Sequence, residues 1–180
     1  LELLVFGGSQ GARALNEVMM ELAPLLVREQ TQIQITHQTG QADFERVKRA
    51  YEDAGLSGVT VLPFIDDMKS AYEKADLILS RAGATTIAEA TVCGRPLLMV
   101  PFPYAVDDHQ SENAKAVEAG GGGIQLPQAT LDHESLHDLL NNLLEDPKRL
   151  SMMASNSKIM GKPDALRSIV DAIETEIVNV

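Results

Sequence analysis

One cysteine, Cys93, stands in 180 residues, so no disulfide can form within the chain. That suits a reducing compartment. Basic residues are few: 15 Lys and Arg against 26 Asp and Glu leave a formal charge of −11. No basic stripe runs through the sequence, which argues against a nucleic-acid partner. No polybasic patch is present to hold an anionic membrane surface. The acidity does not exclude a small anionic ligand, because backbone amides bind phosphate without net positive charge. No apolar run approaches the ~20 residues of a membrane-spanning helix. No signal peptide is visible, and Leu1 is not a start residue. The chain is therefore expected to be part of a longer protein, and targeting signals would lie outside it.

Hydrophobic residues at 44% and charged residues at 23% give ordinary globular composition, enough for one well-cored domain. No repeat, low-complexity tract or internal linker interrupts it, so residues 1–180 are read as one domain. Short apolar runs alternate with amphipathic stretches. The strand candidates are Leu1–Phe6, Gln32–His37, Val59–Phe64, Asp76–Ser80, Pro96–Pro101 and Gly123–Leu126. Their nearly continuous apolar character suits strands buried on both faces of a parallel sheet.

Helix candidates lie between them at Ala12–Val27, Gln41–Ala54, Asp66 or Asp67 to Ala75, Ala84–Cys93 and Asp107 or Asp108 to Ala119. Pro24 is a candidate kink in the first. Three more stretches follow near Asp132–Leu144, Pro147–Ser157 and Pro163–Ile177. Such alternation predicts a doubly wound, Rossmann-like α/β domain of about six parallel strands. With strand order 3-2-1-4-5-6, ligands would bind between strands 1 and 4, at their carboxyl ends.

Three loops would gather there. The first, Gly7-Gly8-Ser9-Gln10-Gly11, joins strand 1 to a helix. Its glycines permit close backbone approach, and the helix would aim free N–H groups at the crevice. A tight turn with glycines needed only for packing is the competing reading. No Lys-Ser/Thr pair follows, so this is not a Walker A loop. Ser9 stands at the second glycine of the dinucleotide fingerprint, and strand 2 ends Ile35-Thr36-His37-Gln38 without an acid for a ribose. NAD is thereby disfavoured.

The second loop, SRAGATTIAEA over residues 80–90, opens another helix near Gly83 and Ala84. Thr85 and Thr86 offer hydroxyls in its first turn. Glu89 suits a ribose diol, or serves only as a helix-dipole or capping carboxylate. Arg81 either pairs with phosphate or makes a surface salt bridge, and the salt bridge is the favoured reading. The third loop, PFPYAVDDHQSENA over residues 101–114, carries Asp107, Asp108, His109, Gln110 and Asn113. Gln110 suits sugar hydroxyls, and Asp108 suits a cap. His109 is read first as a structural hydrogen-bonder, then as a base or phosphate donor. Backbone at Phe64-Ile65 could meet a planar base edge, or simply run into a helix cap. No His/Asp/Glu set recurs at ligand spacing, so no metal site is expected. No serine elbow or Cys-His pairing appears.

GGSQGARALNE, FIDDM, SRAGATTIAEA and GRPLLMVPFPYAVDDHQSENA, in this order and spacing, closely resemble the C-terminal domain of the MurG family. These are bacterial N-acetylglucosaminyltransferases of peptidoglycan synthesis. The resemblance covers essentially the whole chain, including GKPDALRSIVDAI near its end. It implies one half of a GT-B glycosyltransferase, the half that holds the donor UDP-GlcNAc. The implied reaction is inverting transfer of GlcNAc to lipid I, giving lipid II, with no cofactor and no essential metal at the donor site.

By that resemblance Gly8, Ser9 and Gln10 belong to the phosphate loop, Ser9 contacting phosphate. The backbone of Ile65 meets the uracil. The stretch Gly83-Ala84-Thr85-Thr86-Ile87-Ala88-Glu89 binds donor, with Glu89 on the ribose. Gln110 contacts GlcNAc hydroxyls, beside His109 and Asn113. No catalytic residue is assigned in this half beyond His109 as a weak candidate.

The family's acceptor loops, its suspected base and its membrane-associating surface belong to an N-terminal domain outside this chain. A cytoplasmic location, peripheral on the inner face of the plasma membrane, is implied for the full-length protein. The final helix, from about residue 163, would pack toward that other domain. The run Gly120–Gly123 departs from the alanines usual in the family and is expected to loosen the preceding helix. A nucleotide-sugar-binding subunit that works with a separate membrane-bound chain is the alternative. A UDP-sugar 2-epimerase is a remoter one, because its catalytic carboxylates find no place here.

Overall fold

The computed structural model describes residues 1–178. Six parallel strands form one sheet in the order β3-β2-β1-β4-β5-β6. They are β1 (Glu2–Phe6), β2 (Gln34–Gln38), β3 (Val59–Leu62), β4 (Leu77–Ser80), β5 (Leu97–Met99) and β6 (Gly123–Gln125). Eight α-helices accompany them among the described residues: α1 (Arg13–Arg28), α2 (Phe44–Ala54), α3 (Met68–Lys74), α4 (Ala84–Cys93), α5 (His109–Ala119), α6 (His133–Glu145), α7 (Pro147–Met160) and α8 (Ala165–Val178). This is the predicted doubly wound α/β architecture, with the expected strand order.

Strand side chains alternate between faces, and both faces are buried. Leu3, Val5, Leu77, Leu79 and Leu98 pack against Leu15, Met19, Leu22 and Leu26 of α1 and Leu136 and Leu140 of α6. Leu4, Phe6, Ile78, Leu97 and Met99 face the other way, onto Tyr72, Ala90, Ala114 and Val117. The apolar runs are continuous because consecutive residues serve two different cores. Pro24 lies inside α1 without ending it.

Strands β3 and β5 are shorter than their apolar runs suggest. Pro63 follows Leu62, and Pro101 lies two residues beyond Met99. A proline has no N–H for the ladder, so pairing stops near it. Helix α2 begins at Phe44 rather than Gln41, because Gly40 adopts φ +78° and turns the chain first. The glycine run after α5 also departs from expectation. A Cβ at Gly122 would lie 3.0 Å from the Ser157 backbone of α7, and one at Gly123 would lie 2.5 Å from the Leu97 carbonyl oxygen. The run closes α5 and lets β6 and α7 approach closely, rather than loosening the helix. No helix among the described residues is long and apolar enough to cross a membrane.

Candidate functional site

β1 pairs with β2 on one side and β4 on the other, so the chain reverses its winding direction between β1 and β4. A cleft of about 640 Å³ opens there, at the carboxyl ends of the strands. Gly7, Gly8, Gly11, Ala12 and Arg13 line it from the loop after β1 and the start of α1. Gly83 and Thr86 line it from the β4–α4 turn, and Phe102 and Gln110 from the loop after β5. The three predicted loops therefore meet.

Ala12 stands at the N-cap of α1 and Gly83 at that of α4, and neither helix has a side-chain cap. By contrast Asp67, Asp132 and Asp146 cap α3, α6 and α7. Helices α2 and α5 also begin without a capping bond. The orphan N–H groups of α1 and α4 point their helix dipoles into one cleft, an arrangement that favours bound negative charge.

The glycine loop is held from behind. Gly11 (φ +77°) and Gly40 (φ +78°) pack face to face. A Cβ on Gly11 would lie 2.0 Å from the Thr39 carbonyl oxygen, and one on Gly40 would lie 2.2 Å from that of Gln10. Beneath them sits a buried polar network. Asn16 Nδ2 donates to Thr39 O at 3.0 Å and to Asp43 Oδ2 at 2.8 Å. Its Oδ1 lies 3.0 Å from His37 Nε2, and His37 Nδ1 lies 2.7 Å from the Tyr51 hydroxyl. The neutral ring thus donates through Nε2 and accepts through Nδ1. Burial pushes the His37 pKa down to about 3. The Asn16 amide, with help from Arg46, holds Asp43 below the usual carboxylate range.

Gly8, Ser9 and Gln10 are exposed at the rim. Ala84 and Thr85 are also exposed, on the first turn of α4, while Thr86 is half-buried and faces the cleft. Ile87 and Ala88, with Ala84, line a smaller apolar groove beside Thr91 and Asn113. Glu89 is exposed, and its Oε2 accepts the Tyr72 hydroxyl proton at 2.9 Å. Ile65 is buried, and its N–H donates to Gln38 Oε1 at 2.9 Å.

Gln110 Oε1 accepts the Phe102 N–H at 2.9 Å, which leaves its NH₂ as the donor group available at the cleft. Asn113 donates to the Ala82 carbonyl at 3.1 Å and so braces α5 against the β4–α4 turn. His109 is exposed at the first residue of α5. It follows Asp107 and Asp108, both at positive φ (51° and 52°). Left-handed aspartates are tolerated locally and set the angle at which α5 enters. Asp108 accepts the Ser111 hydroxyl at 2.6 Å instead of capping the helix backbone.

Arg81 corrects the favoured salt-bridge reading. Its Nη1 donates to the Val100 and Pro101 carbonyls at 3.1 and 3.3 Å, and its guanidinium lies 5.3 Å from the Phe102 ring centroid. It is half-buried and lines the cleft, where desolvation lowers its pKa. Arg13, Glu17, Phe102 and Gln128 also line the cleft and were not anticipated. Arg13 and Glu17 could have been found one turn apart on the exposed side of α1, where they pair at 2.7 Å. Phe102, an exposed aromatic between two prolines, was a further signal. Among the described residues no three His, Cys, Asp or Glu side chains are placed to hold a metal ion.

Fold and cleft together define a Rossmann-like α/β domain with two helix N-termini facing a crevice at its switch point. The chain belongs to the glycosyltransferase family 28 C-terminal domain family, whose pattern matches residues 2–169. It is 49% identical over 173 residues to the UDP-N-acetylglucosamine–N-acetylmuramyl-(pentapeptide) pyrophosphoryl-undecaprenol N-acetylglucosamine transferase of Pelobacter propionicus, covering 96% of this chain and 45% of that one. The same-named protein of Syntrophotalea carbinolica is 46% identical over 160 residues, covering 89% of this chain and 45% of that one. The chain spans about half the length of the curated relatives it matches. The crystal structure of Acinetobacter baumannii MurG superposes with a TM-score of 0.87 at 38% identity, over 97% of this chain and 52% of that one. The UDP-GlcNAc 2-epimerase of Neisseria meningitidis, at 16% identity and TM-score 0.66 over 97% of this chain and 44% of that one, shares the fold alone.

Proposed function

We propose that this chain is the donor-binding half of an inverting glycosyltransferase. It would hold UDP-GlcNAc while GlcNAc passes to lipid I, giving lipid II for peptidoglycan. The observation that carries this reading is the pair of uncapped helix N-termini, α1 and α4, opening into one cleft. Glycosyl transfer leaves an oxocarbenium-like sugar and a departing diphosphate whose negative charge grows. Fixed N–H dipoles, with the hydroxyls of Ser9, Thr85 and Thr86, would stabilise that charge from preorganised positions and without a metal. Arg81 adds a desolvated cation to the same wall. The Ile65 carbonyl, beside an N–H already taken by Gln38, is the group left to meet the base. Glu89 would take the ribose diol and Gln110 the sugar hydroxyls.

The acceptor, the catalytic base and the membrane surface are assigned to a second, N-terminal domain. The whole protein would then sit on the inner face of the plasma membrane through that domain. Helix α8 would pack toward it.

Calorimetric titration of this chain tests the reading. UDP and UDP-GlcNAc should bind, UDP-GalNAc should bind more weakly, and transfer to a lipid I analogue by the chain alone should be negligible. Ser9→Ala removes one hydrogen bond to a charged group and should weaken UDP by about tenfold. An unchanged dissociation constant for that variant would remove Ser9 from the site. Robust transfer by the isolated chain would overturn the division of labour.

A further inference from the structure

Gln38 ends β2 at the position where dinucleotide-binding folds place a ribose-binding carboxylate. It is 3% exposed, and both ends of its amide are engaged. Nε2 donates to the Gly8 carbonyl at 2.9 Å, and Oε1 accepts the Ile65 N–H at 2.9 Å. Gly8 belongs to the loop after β1, and Ile65 to the loop after β3. Among the described hydrogen bonds, Gln38 is the only side chain bonded to both loops.

A primary amide fits both partners without any change of protonation. It presents one donor and one acceptor from the same short side chain. A carboxylate would face the Gly8 carbonyl oxygen with like partial charge, and a thioether would satisfy neither group. Gly11 and Gly40 hold the first loop from behind, and the Gln38 amide ties that loop to the one after β3.

We infer that Gln38 is a positioning residue that joins the phosphate loop to the base loop, so that the site takes a nucleoside diphosphate as one rigid unit. The inference rests on the donor-binding reading above. A ligand that bridges both loops benefits from their fixed separation, because no ordering remains to be done when it binds. A ligand that touches one loop gains little from that separation. The signature of the role is a selective loss: bridging ligands weaken, and single-loop ligands do not.

The test is an amide chemical-shift titration of the unaltered chain, Gln38→Met and Gln38→Glu. The probes are UDP, uridine and inorganic pyrophosphate. Both variants should bind UDP at least about tenfold more weakly, while uridine and pyrophosphate stay within about threefold. Should Gln38→Met fail to fold, Gln38→Glu keeps the acceptor for Ile65 and carries the test. UDP affinity unchanged in the variants would overturn the inference and leave the donor reading standing. Parallel losses for all three ligands would also overturn it, reducing Gln38 to a general brace. No UDP binding by the unaltered chain would overturn the donor reading, and this inference with it.

Discussion

His37 is fully buried between α1 and α2, and its hydrogen bonds suit the neutral ring. An unfolded imidazole titrates near 6.5, whereas in the fold burial lowers the value to about 3. Stability from the neutral ring is therefore fully present above pH 6.5 and is lost as pH falls toward 3. Asp43, also depressed, acts in the same direction but only at lower pH. Between pH 6.5 and 5 the unfolding free energy should drop by up to about 2 kcal/mol. Urea melts at the two pH values read this directly, and His37→Phe should flatten the dependence. An equally steep dependence in that variant would assign the loss elsewhere. In the sequence, His37 and Gln38 show only a strand end without an acid. Their partners, Tyr51, Asn16, Gly8 and Ile65, come from four different elements, which no local pattern brings together.

Element boundaries followed local chemistry where that chemistry was self-contained. Helix α4 runs Ala84–Cys93 as its flanking glycines suggest, because Gly94 supplies the left-handed end and Gly83 the turn. Helix α2 is three residues shorter than its sequence suggests, since Gly40 is fixed by contact with the distant glycine loop rather than by its own neighbours. That contact is itself testable. Gly11→Ala combines positive φ with a Cβ only 2.0 Å from the Thr39 carbonyl oxygen. It should destabilise the chain by roughly 2 kcal/mol or more and displace the start of α1. Thermal denaturation and UDP titration of the variant measure the two effects. A variant with unchanged melting and affinity would mean the loop is not held as described.

At the scale of the whole molecule, exposed large apolar side chains are scattered singly or in pairs over most of the described surface but gather as a group of four on α8. Leu166, Ile169, Val170 and Ile173 of α8 are exposed by 77%, 58%, 43% and 54%. Their spacing puts them on one helical stripe. If that stripe meets the proposed N-terminal domain, Ile169→Asp and Ile173→Asp should leave the melting temperature of this chain unchanged. The same changes should destabilise the full-length protein, by differential scanning calorimetry. A lower melting temperature in the chain alone would show that α8 packs within it. Strand order and the meeting of three loops were legible because parallel α/β topology dictates both. The walls of the cleft were less so, since Arg81, Phe102 and Gln128 line it through tertiary placement. On the proposed reading, α1 and α4 grip a diphosphate between them. Amide chemical-shift mapping with UDP-GlcNAc reads it most directly. The largest shifts should fall at Gly8, Ser9, Thr85 and Thr86, with smaller ones at Ile65 and Gln110. Shifts confined to residues away from the β1–α1 and β4–α4 turns would contradict it.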